Sequence, residues 1–333
     1  MRREIGSEFW SIPLAPKSND FFAEGTSWFL SGRSALERII VDIKSKRNIH
    51  AALLPSWCCD SMILPFVKHG IEVRFYPVFI EKGRLVQSVP EPEDDEILFV
   101  MDYFGYANDT NALFDKGTII RDVTHSVFSK TYSDADYYFG SLRKWCGFKT
   151  GGFAIGPNFE NLPSDEKYIE LRKRAMDAKS EYICGNSESK EYLDVFSQAE
   201  EYLDGCSMAG ADPAEISLAS YLNIEQIKEQ RRKNASVLLD SLGEIAMFKE
   251  LEENDCPLFV PIMVSEKNRD ELRRYLIEKQ IYAPIHWPIS RHHKLDGKTK
   301  EIYDCEISLV CDQRYGESDM YRTVEAINSF FKG

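Results

Sequence analysis

Apolar residues in the first half of the chain alternate between the spacing of a helix and the short runs of buried strands. Segment 34–46 has its apolar residues at helical spacing, at Leu36, Ile39, Ile40 and Ile43. Short apolar or alternating runs predict strands at 51–54, 71–76, 96–101, 119–120, 137–139 and 153–155. A further helix is predicted at 61–69, where Gly70 ends it. Strands that alternate with helices favour a mostly parallel sheet covered on both faces.

The pattern changes near residue 164. Residues 164–207 are strongly charged and predict helix, and a long helical pattern opens at Asp212 or Ser217 and runs to about Leu242. Beyond Gly243 an α+β arrangement is predicted, with strands at 257–264 and 306–310 and helices at 269–279 and 318–331. We therefore predict a large α/β domain over residues 1–225 and a small C-terminal α+β domain over residues 226–333.

The composition is that of a soluble globular protein, because 43% of the 333 residues are hydrophobic and 29% are charged. The net charge of -13 opposes binding to nucleic acid. No apolar run approaches about 18 residues and the N-terminus lacks the apolar core of a signal peptide, so no membrane span or secretion is expected. Eight cysteines without a C-x-x-C pair and six histidines without zinc-finger spacing predict free thiols, no metal site and a cytoplasmic location.

Candidate chemistry lies where predicted strands end. Asp122 follows the run at 119–120, and Ser141 and Lys144 follow the run at 137–139. Ligands of open α/β sheets bind beyond the carboxyl ends of the strands. A lysine amine can form a Schiff base with the aldehyde of pyridoxal phosphate, and a carboxylate can keep the ring nitrogen of that cofactor protonated. Asp122 and Lys144 therefore predict a pyridoxal phosphate site.

Three other features allow both a functional and a structural interpretation. Ser31-Gly32-Arg33-Ser34 opens the first helix, where free N–H groups either bind a phosphate or form an ordinary N-cap. Trp57 follows a buried strand and either stacks on a flat cofactor or lies half-buried in the core. His125 lies three residues after Asp122 and either grips a pyridine ring, by stacking on it or holding its phenolic oxygen, or belongs to a capped turn.

Two rival chemistries are weaker. Ser141-Leu-Arg-Lys144 matches the S-x-x-K motif of penicillin-binding enzymes, and residues 149–151 supply K-T-G. In those enzymes K-T-G lies on a distant strand, whereas here it begins five residues after Lys144. Cys58, Cys59 and Cys146 have no evident neighbouring base, so buried inert thiols are the simpler interpretation.

Together these residues resemble the fold-type I pyridoxal phosphate enzymes, and more narrowly the DegT/StrS-type sugar aminotransferases. Lys144 followed by glycines at +7 and +8 is similar to the family's lysine and paired glycines. Other similar segments are the S-G-T-x-A-L phosphate turn at 31–36, the P-T/S-aromatic segment at 55–57, the acid segment at 121–125 and the small-domain segment at 282–288. The resemblance covers most of the chain.

The resemblance implies an aspartate-aminotransferase-like large domain with a mostly parallel sheet, a small C-terminal α+β domain and pyridoxal 5'-phosphate as cofactor. It implies an aminotransferase that moves an amino group from an amino acid donor, glutamate by analogy, to a keto-sugar that is nucleotide-linked. Sites of this fold form between two subunits, so a homodimer is implied.

The resemblance also assigns roles to individual residues. Lys144 carries the cofactor and then acts as general base, and Asp122 meets the ring nitrogen. The phosphate is held by Gly32, Arg33, Ser34 and Ser141, and the ring faces are held by Trp57 and His125. Substrate contacts are expected from His286, Trp287 and Arg314.

The chain also departs from the family pattern. Arg33 stands where threonine is usual, K-T-G-G replaces G-E-G-G, and the N-Y-R-M segment is not recognisable around 207–212. Two alternatives therefore stay open, namely another pyridoxal phosphate reaction such as a lyase or dehydratase, and a non-catalytic binding protein on a decayed scaffold. The retained Lys144 argues against a dehydratase, since sugar dehydratases of this type carry histidine there.

Overall fold

A computed structural model describes residues 4–22, 25–81, 83–107, 114–129, 134–157, 159–206 and 208–332. The strands are β1 (Ile5–Gly6), β2 (Ser27–Phe29), β3 (Ala51–Pro55), β4 (Glu72–Tyr76), β5 (Val78–Glu81), β6 (Arg84–Gln87), β7 (Glu96–Met101), β8 (Thr118–Asp122), β9 (Tyr137–Ser141), β10 (Gly152–Ile155), β11 (Phe259–Met263), β12 (Ile281–Tyr282) and β13 (Glu306–Val310). The helices are α1 (Gly32–Lys46), α2 (Asp60–Lys68), α3 (Glu166–Cys184), α4 (Tyr192–Gly205), α5 (Pro213–Ala219), α6 (Ile224–Leu242), α7 (Glu266–Glu278), α8 (Gly297–Cys305) and α9 (Glu317–Lys332).

The central sheet has the strand order β2-β10-β9-β8-β7-β3-β4. The pairs from β9 across to β4 are parallel, and β10 runs antiparallel to both β9 and β2. Every residue of β3, β7, β8 and β9 is buried, which explains why these strands appear in the sequence as short apolar runs. Because β8 and β9 are parallel neighbours, Asp122 and Ser141 reach the same edge of the sheet.

Helix α1 places its first turn at that edge. The side chain of Ser31 accepts a hydrogen bond from the N–H of Ser34, as an N-cap residue does. The predicted apolar face is buried, and α1 packs against β9 and β10. The N-terminus of the helix is therefore held beside the strand that leads to Lys144.

The second half of the chain packs on the first through a shared apolar core. Strands β11 and β13 form an antiparallel pair, and α6 packs against α9 and β11. The N-terminal strand β1 pairs with β12, so the start of the chain joins the C-terminal half. The predicted boundary between residues 225 and 226 falls in the first turn of α6, and the division into two domains stays a prediction.

The long helix predicted from residue 212 is two helices, α5 and α6. Asp212 caps α5 by accepting from the N–H of Ala214, and Asn223 caps α6 by accepting from the N–H of Gln226. Two capping side chains this close start separate helices, which helical periodicity alone does not reveal. The hairpin of β5 and β6 and helix α8 were not predicted. None of the helices in the described ranges is long and apolar enough to cross a bilayer.

Candidate active site

A cavity of about 660 Å³ opens at the edge of the sheet where the parallel strands end. Its wall combines the N-terminal segment 6–9, the first turn of α1, the ends of β8 and β9, and residues around β12 and β13. Nine of the predicted site residues line it, namely Gly32, Arg33, Asp122, His125, Ser141, Lys144, His286, Trp287 and Arg314. Residues separated by up to about 300 positions in the sequence are thus brought into one space.

Lys144 ends a single 3₁₀ turn, Leu142–Lys144, directly after β9. The N–H of Leu142 donates a hydrogen bond of 2.8 Å to the carbonyl of Gly151, which ties the turn to the segment that precedes β10. Gly151 has a φ of +94°, a conformation that favours glycine. The Lys144 side chain is exposed to the cavity, and its ammonium has no hydrogen bond or ion pair with any described residue. The backbone that leads to Lys144 is therefore anchored, whereas its ammonium is unpaired within the described ranges.

Asp122 ends β8 and is buried. Its Oδ1 accepts a hydrogen bond of 2.8 Å from the N–H of Thr124. Burial raises the pKa of the carboxyl to about 7, although the Thr124 donor and the charge of Lys144 both act to lower it. A cationic partner placed against this carboxyl would stabilise the ionised form that burial disfavours. Asp122 is therefore suited to bind a protonated ring nitrogen.

His125 is buried, and its Nδ1 has no hydrogen-bond partner among the described residues. Its ring lies 5.7 Å from the ring of Trp287, with 29° between the planes. Burial lowers the pKa of His125 well below its ordinary value, and the charges of His286 and Lys144 lower it further. His125 is therefore neutral at pH 7, and its buried Nδ1 is not hydrogen-bonded by the part of the chain that the structure describes.

The first turn of α1 offers N–H groups to the same cavity. The N–H of Ser34 is taken by Ser31 Oγ at 3.2 Å, but those of Gly32 and Arg33 have no acceptor in the described part of the chain. Ser141 lines the cavity beside this turn. Free N–H groups at the start of a 15-residue helix favour an anion such as a phosphate.

Two predicted site residues do not line the cavity. Ser34 is buried, and its Oγ lies 3.1 Å from Ser31 Oγ, so it belongs to the helix cap. Trp57 is fully buried and stacks on Tyr103 at 4.9 Å, and its indole N–H donates to the carbonyl of His286 at 2.7 Å. Ser34 and Trp57 support the cavity wall from behind, and their contacts with the cofactor stay predictions.

Arg314 lines the cavity, but its hydrogen-bond donors are engaged. It pairs with Asp312 at 2.8 and 2.9 Å and donates to the carbonyls of Ser7 and Glu8, each at 3.1 Å. Its guanidinium lies 3.9 Å from the centre of the Phe9 ring. Arg314 therefore fixes the N-terminal segment as part of the cavity wall, and its substrate contact stays a prediction.

One end of the cavity is rich in arginine, which the sequence analysis missed. Arg33 pairs with Asp204 at 2.7 Å, and Arg143 pairs with Glu200. Arg172, buried behind them, lies 3.4 Å from Glu200. The carboxylates are about half exposed or more, whereas the guanidinium groups are more buried, so an incoming anion could replace the acidic partners. The position of Arg143 directly before Lys144 is the one local signal that points to this end.

Comparison with known proteins places the fold. No protein-family model and no curated protein matches the chain. Solved structures do, among them a DegT DnrJ EryC1 StrS aminotransferase from Brucella abortus, 17% identical, with a TM-score of 0.62 over 92% of this chain and 86% of that one. The putative sugar aminotransferase Spr1654 from Streptococcus pneumoniae, in its apo-form, is 12% identical, with a TM-score of 0.64 over 96% of this chain and 92% of that one.

A third similar structure is NtdA from Bacillus subtilis with bound cofactor PMP, which is 13% identical, with a TM-score of 0.64 over 92% of this chain and 73% of that one. Coverage this complete confirms the predicted fold class, an aspartate-aminotransferase-like α/β fold with a mostly parallel sheet. At these identities the likeness concerns the fold. What the chain does must be argued from its own cavity.

Proposed function

We propose that this protein is a pyridoxal phosphate-dependent aminotransferase, a divergent member of the DegT/StrS-type family, that transfers an amino group to a keto-sugar. The observation that carries the proposal is the combination, at neighbouring strand ends of one cavity, of a buried carboxyl and a lysine whose ammonium has no partner among the described residues. Lys144 and Asp122 lie in opposite environments, since the lysine side chain is exposed to the cavity and the carboxyl of Asp122 is buried. A pyridoxal phosphate site needs both.

The residues present fit this cofactor at three places. Asp122 has a carboxyl whose burial raises its pKa to about 7, and a protonated ring nitrogen would compensate its charge. His125 has a buried Nδ1 without a partner in the described residues, which a polar atom of the ring would satisfy. The N–H groups of Gly32 and Arg33, with Ser141, would hold the phosphate.

Pyridoxal phosphate, when bound, supplies an aldehyde that bonds an amine and a ring that accepts electrons from the donor's Cα. Lys144 would hold that aldehyde carbon in the resting enzyme and, once displaced by the donor, would move the proton away from the donor's Cα. Asp122 would keep the ring nitrogen protonated and so stabilise negative charge in the ring. The stacked rings of His125 and Trp287 exclude water from this side of the cavity.

The substrate proposal has two sources of support. Similar folds include proteins described as sugar aminotransferases, for example CalS13 from Micromonospora echinospora. In this chain the cavity continues from Lys144 to the end lined by Arg33 and Arg143, and Arg273 borders it unpaired by any described residue. Cations gathered in one cavity of a protein with a net charge of -13 favour an anionic substrate, as a nucleotide-linked sugar is. A dicarboxylate donor such as glutamate suits the same charge.

A homodimer in the cytoplasm completes the proposal. Leu14 and Tyr221 lie together, with the N–H of Ala15 donating to the carbonyl of Tyr221, and both side chains are nearly half exposed at 47% and 43%. Exposed apolar side chains on neighbouring segments favour contact with a second subunit. Light scattering on the purified protein would determine whether it is a dimer.

Absorbance of the purified protein with pyridoxal phosphate tests the proposed cofactor chemistry. The wild type should turn yellow, and borohydride should fix the cofactor on the peptide that contains Lys144. Lys144→Ala should lose the yellow species. Lys149 is the natural control because its ammonium is engaged by Asp212 at 2.5 Å, and Lys149→Ala should stay yellow. A colourless wild type, or a label on Lys149, would overturn the assignment, and a donor half-reaction with glutamate would separate a transaminase from a lyase.

A further inference from the structure

A chain of buried polar groups lies behind His286. His286 Nδ1 is 2.9 Å from Ser308 Oγ, and Ser308 Oγ donates a hydrogen bond to Glu306 Oε1. The second oxygen of Glu306 accepts the backbone N–H of His286 at 2.7 Å. Glu306 and Ser308 are fully buried on β13, and His286 is 8% exposed. A buried carboxylate is thus linked to one edge of a histidine that borders the cavity.

This arrangement fixes the position of the imidazole proton. A serine hydroxyl has a single proton, and that of Ser308 is directed at Glu306. Ser308 Oγ can therefore only accept from His286, so Nδ1 carries the proton of the neutral ring. In that tautomer Nε2 holds a bare lone pair.

The lone pair borders the cavity. His286 lines it, and because Nδ1 is turned towards Ser308, the opposite edge of the ring faces the open space. Nε2 has no hydrogen-bond partner in the described ranges, and it is not among their fully buried unpaired atoms. The rings of His125 and Trp287 lie 5.7 and 5.1 Å away and shield this base from bulk water.

We propose that His286 is a catalytic base that takes the proton from the ammonium group of the incoming amino donor. The inference rests on the proposed function, in which the donor must present a neutral nitrogen. One donor N–H bond breaks, the electron pair stays on the donor nitrogen, and an Nε2–H bond forms on His286. The positive charge moves from the donor to the imidazole, where Glu306 Oε1 faces it from 3.7 Å, beside Ser308.

The other candidates for this step are less suitable. Asp122 is engaged by the N–H of Thr124 and faces the position proposed for the ring nitrogen. His125 is a weak base, because burial lowers its pKa well below the ordinary value. Of the two histidines among the described cavity-lining residues, His286 is the one with a buried carboxylate linked to the far side of its ring. Glu306 and Ser308 act through His286 and are positioning residues.

The donor half-reaction of the cofactor-loaded enzyme with L-glutamate tests the base. In His286→Asn the amide nitrogen can replace Nδ1 as the donor to Ser308, but no basic nitrogen remains. The half-reaction at saturating glutamate should slow by about a hundredfold to ten-thousandfold, while cofactor loading on Lys144 stays intact. Added imidazole should restore part of the rate in His286→Ala. His50→Asn, at an exposed histidine that pairs with Asp95, should react as the wild type.

Nitrogen NMR of the cofactor-free protein supplies a readout that does not depend on activity. The ring nitrogen signals of His286 are assigned by their absence from the spectrum of His286→Asn. They should show the Nδ1–H tautomer, and Ser308→Ala should abolish the preference for that tautomer. If wild type and His286→Asn react with glutamate at the same rate, the role of His286 is overturned and the proposed function stands. An Nε2–H tautomer of His286 would have the same meaning. A wild type that loads cofactor but never reacts with glutamate would overturn the proposed function, and this role with it.

Discussion

Gly152 approaches Ser31 so closely that a Cβ atom at residue 152 would lie 2.1 Å from both the carbonyl carbon and the carbonyl oxygen of Ser31. The same atom would lie 2.8 Å from the backbone nitrogen of Gly32. Strand β10 and the first turn of α1 therefore meet backbone to backbone. This contact brings the free N–H groups of α1 next to the turn that carries Lys144.

Gly152→Ala should disrupt this contact. The clash is with backbone atoms, which cannot move aside as a flexible side chain does, so we expect a loss of about 3 kcal/mol in the free energy of unfolding. Gly205→Ala is the matched control, since a Cβ there meets nothing within 4 Å. Denaturant titration of the two variants would check the difference. Equal stabilities would contradict the close packing of β10 on α1.

Asp122→Asn should stabilise the protein without cofactor, and more so at higher pH. The folded-state pKa of Asp122 is about 7 against an ordinary 3.8, so the folded protein holds an extra proton between these values. The contribution of Asp122 to the free energy of unfolding is therefore fully present below pH 3.8 and is lost as the pH rises towards 7. Asparagine does not titrate, and it keeps an oxygen for the N–H of Thr124.

We expect the stability advantage of Asp122→Asn to grow by about 2 kcal/mol from about pH 5.5 to 8. Urea titrations at the two pH values, on cofactor-free protein, would measure it. An advantage that is constant with pH would show that the Asp122 carboxyl titrates normally. The same variant should lose the donor half-reaction, because asparagine cannot keep the ring nitrogen protonated.

The sequence predicted the elements whose periodicity is simple. The strands that carry Asp122 and Ser141 are buried at every position, so their apolar runs identify them without knowledge of their neighbours. In a parallel sheet the carboxyl ends of strands share one edge, and this rule placed Asp122 and Lys144 together correctly. Of the paired glycines, Gly151 is required by its positive φ and Gly152 by its close contact with the backbone of Ser31.

The sequence could not predict contacts that depend on side-chain direction or on distant partners. Trp57 points into the core because its indole N–H finds the carbonyl of His286, 229 residues away. Arg314 is engaged by the carbonyl of Ser7, 307 residues away in the chain. Neither partner leaves a local pattern, and long-range hydrogen bonds of this kind are fixed by packing of the whole fold.

Trp57→Phe separates the structural role of this residue from the cofactor contact predicted earlier. The variant loses the hydrogen bond to the carbonyl of His286 and leaves that buried acceptor unpaired, which should cost about 1 to 3 kcal/mol in the free energy of unfolding. Cofactor affinity should stay within about twofold of the wild type, since the ring does not line the cavity.

Absorbance titration with pyridoxal phosphate would compare this variant with His125→Ala, whose ring does line the cavity. We expect the His125 variant to bind the cofactor about tenfold more weakly, because it loses the ring and the unpartnered nitrogen. If Trp57→Phe binds pyridoxal phosphate weakly at unchanged stability, the result would instead support the predicted contact between Trp57 and the cofactor.

The pair of Asp312 and Arg314 should hold the N-terminal segment against the cavity. Replacing both, as Asp312→Asn with Arg314→Met, removes the hydrogen bonds to the carbonyls of Ser7 and Glu8 without leaving a buried unpaired charge. Two lost charge-assisted hydrogen bonds should lower the free energy of local opening by about 2 kcal/mol, which is about thirtyfold in the opening equilibrium. Hydrogen exchange of the peptide spanning residues 5–12 should therefore quicken by that factor.

Lys233→Met, which removes only an exposed pair with Glu229, should leave this peptide unchanged. If exchange in the double variant equals that of the control, the segment is held by β1 and its pairing with β12 instead.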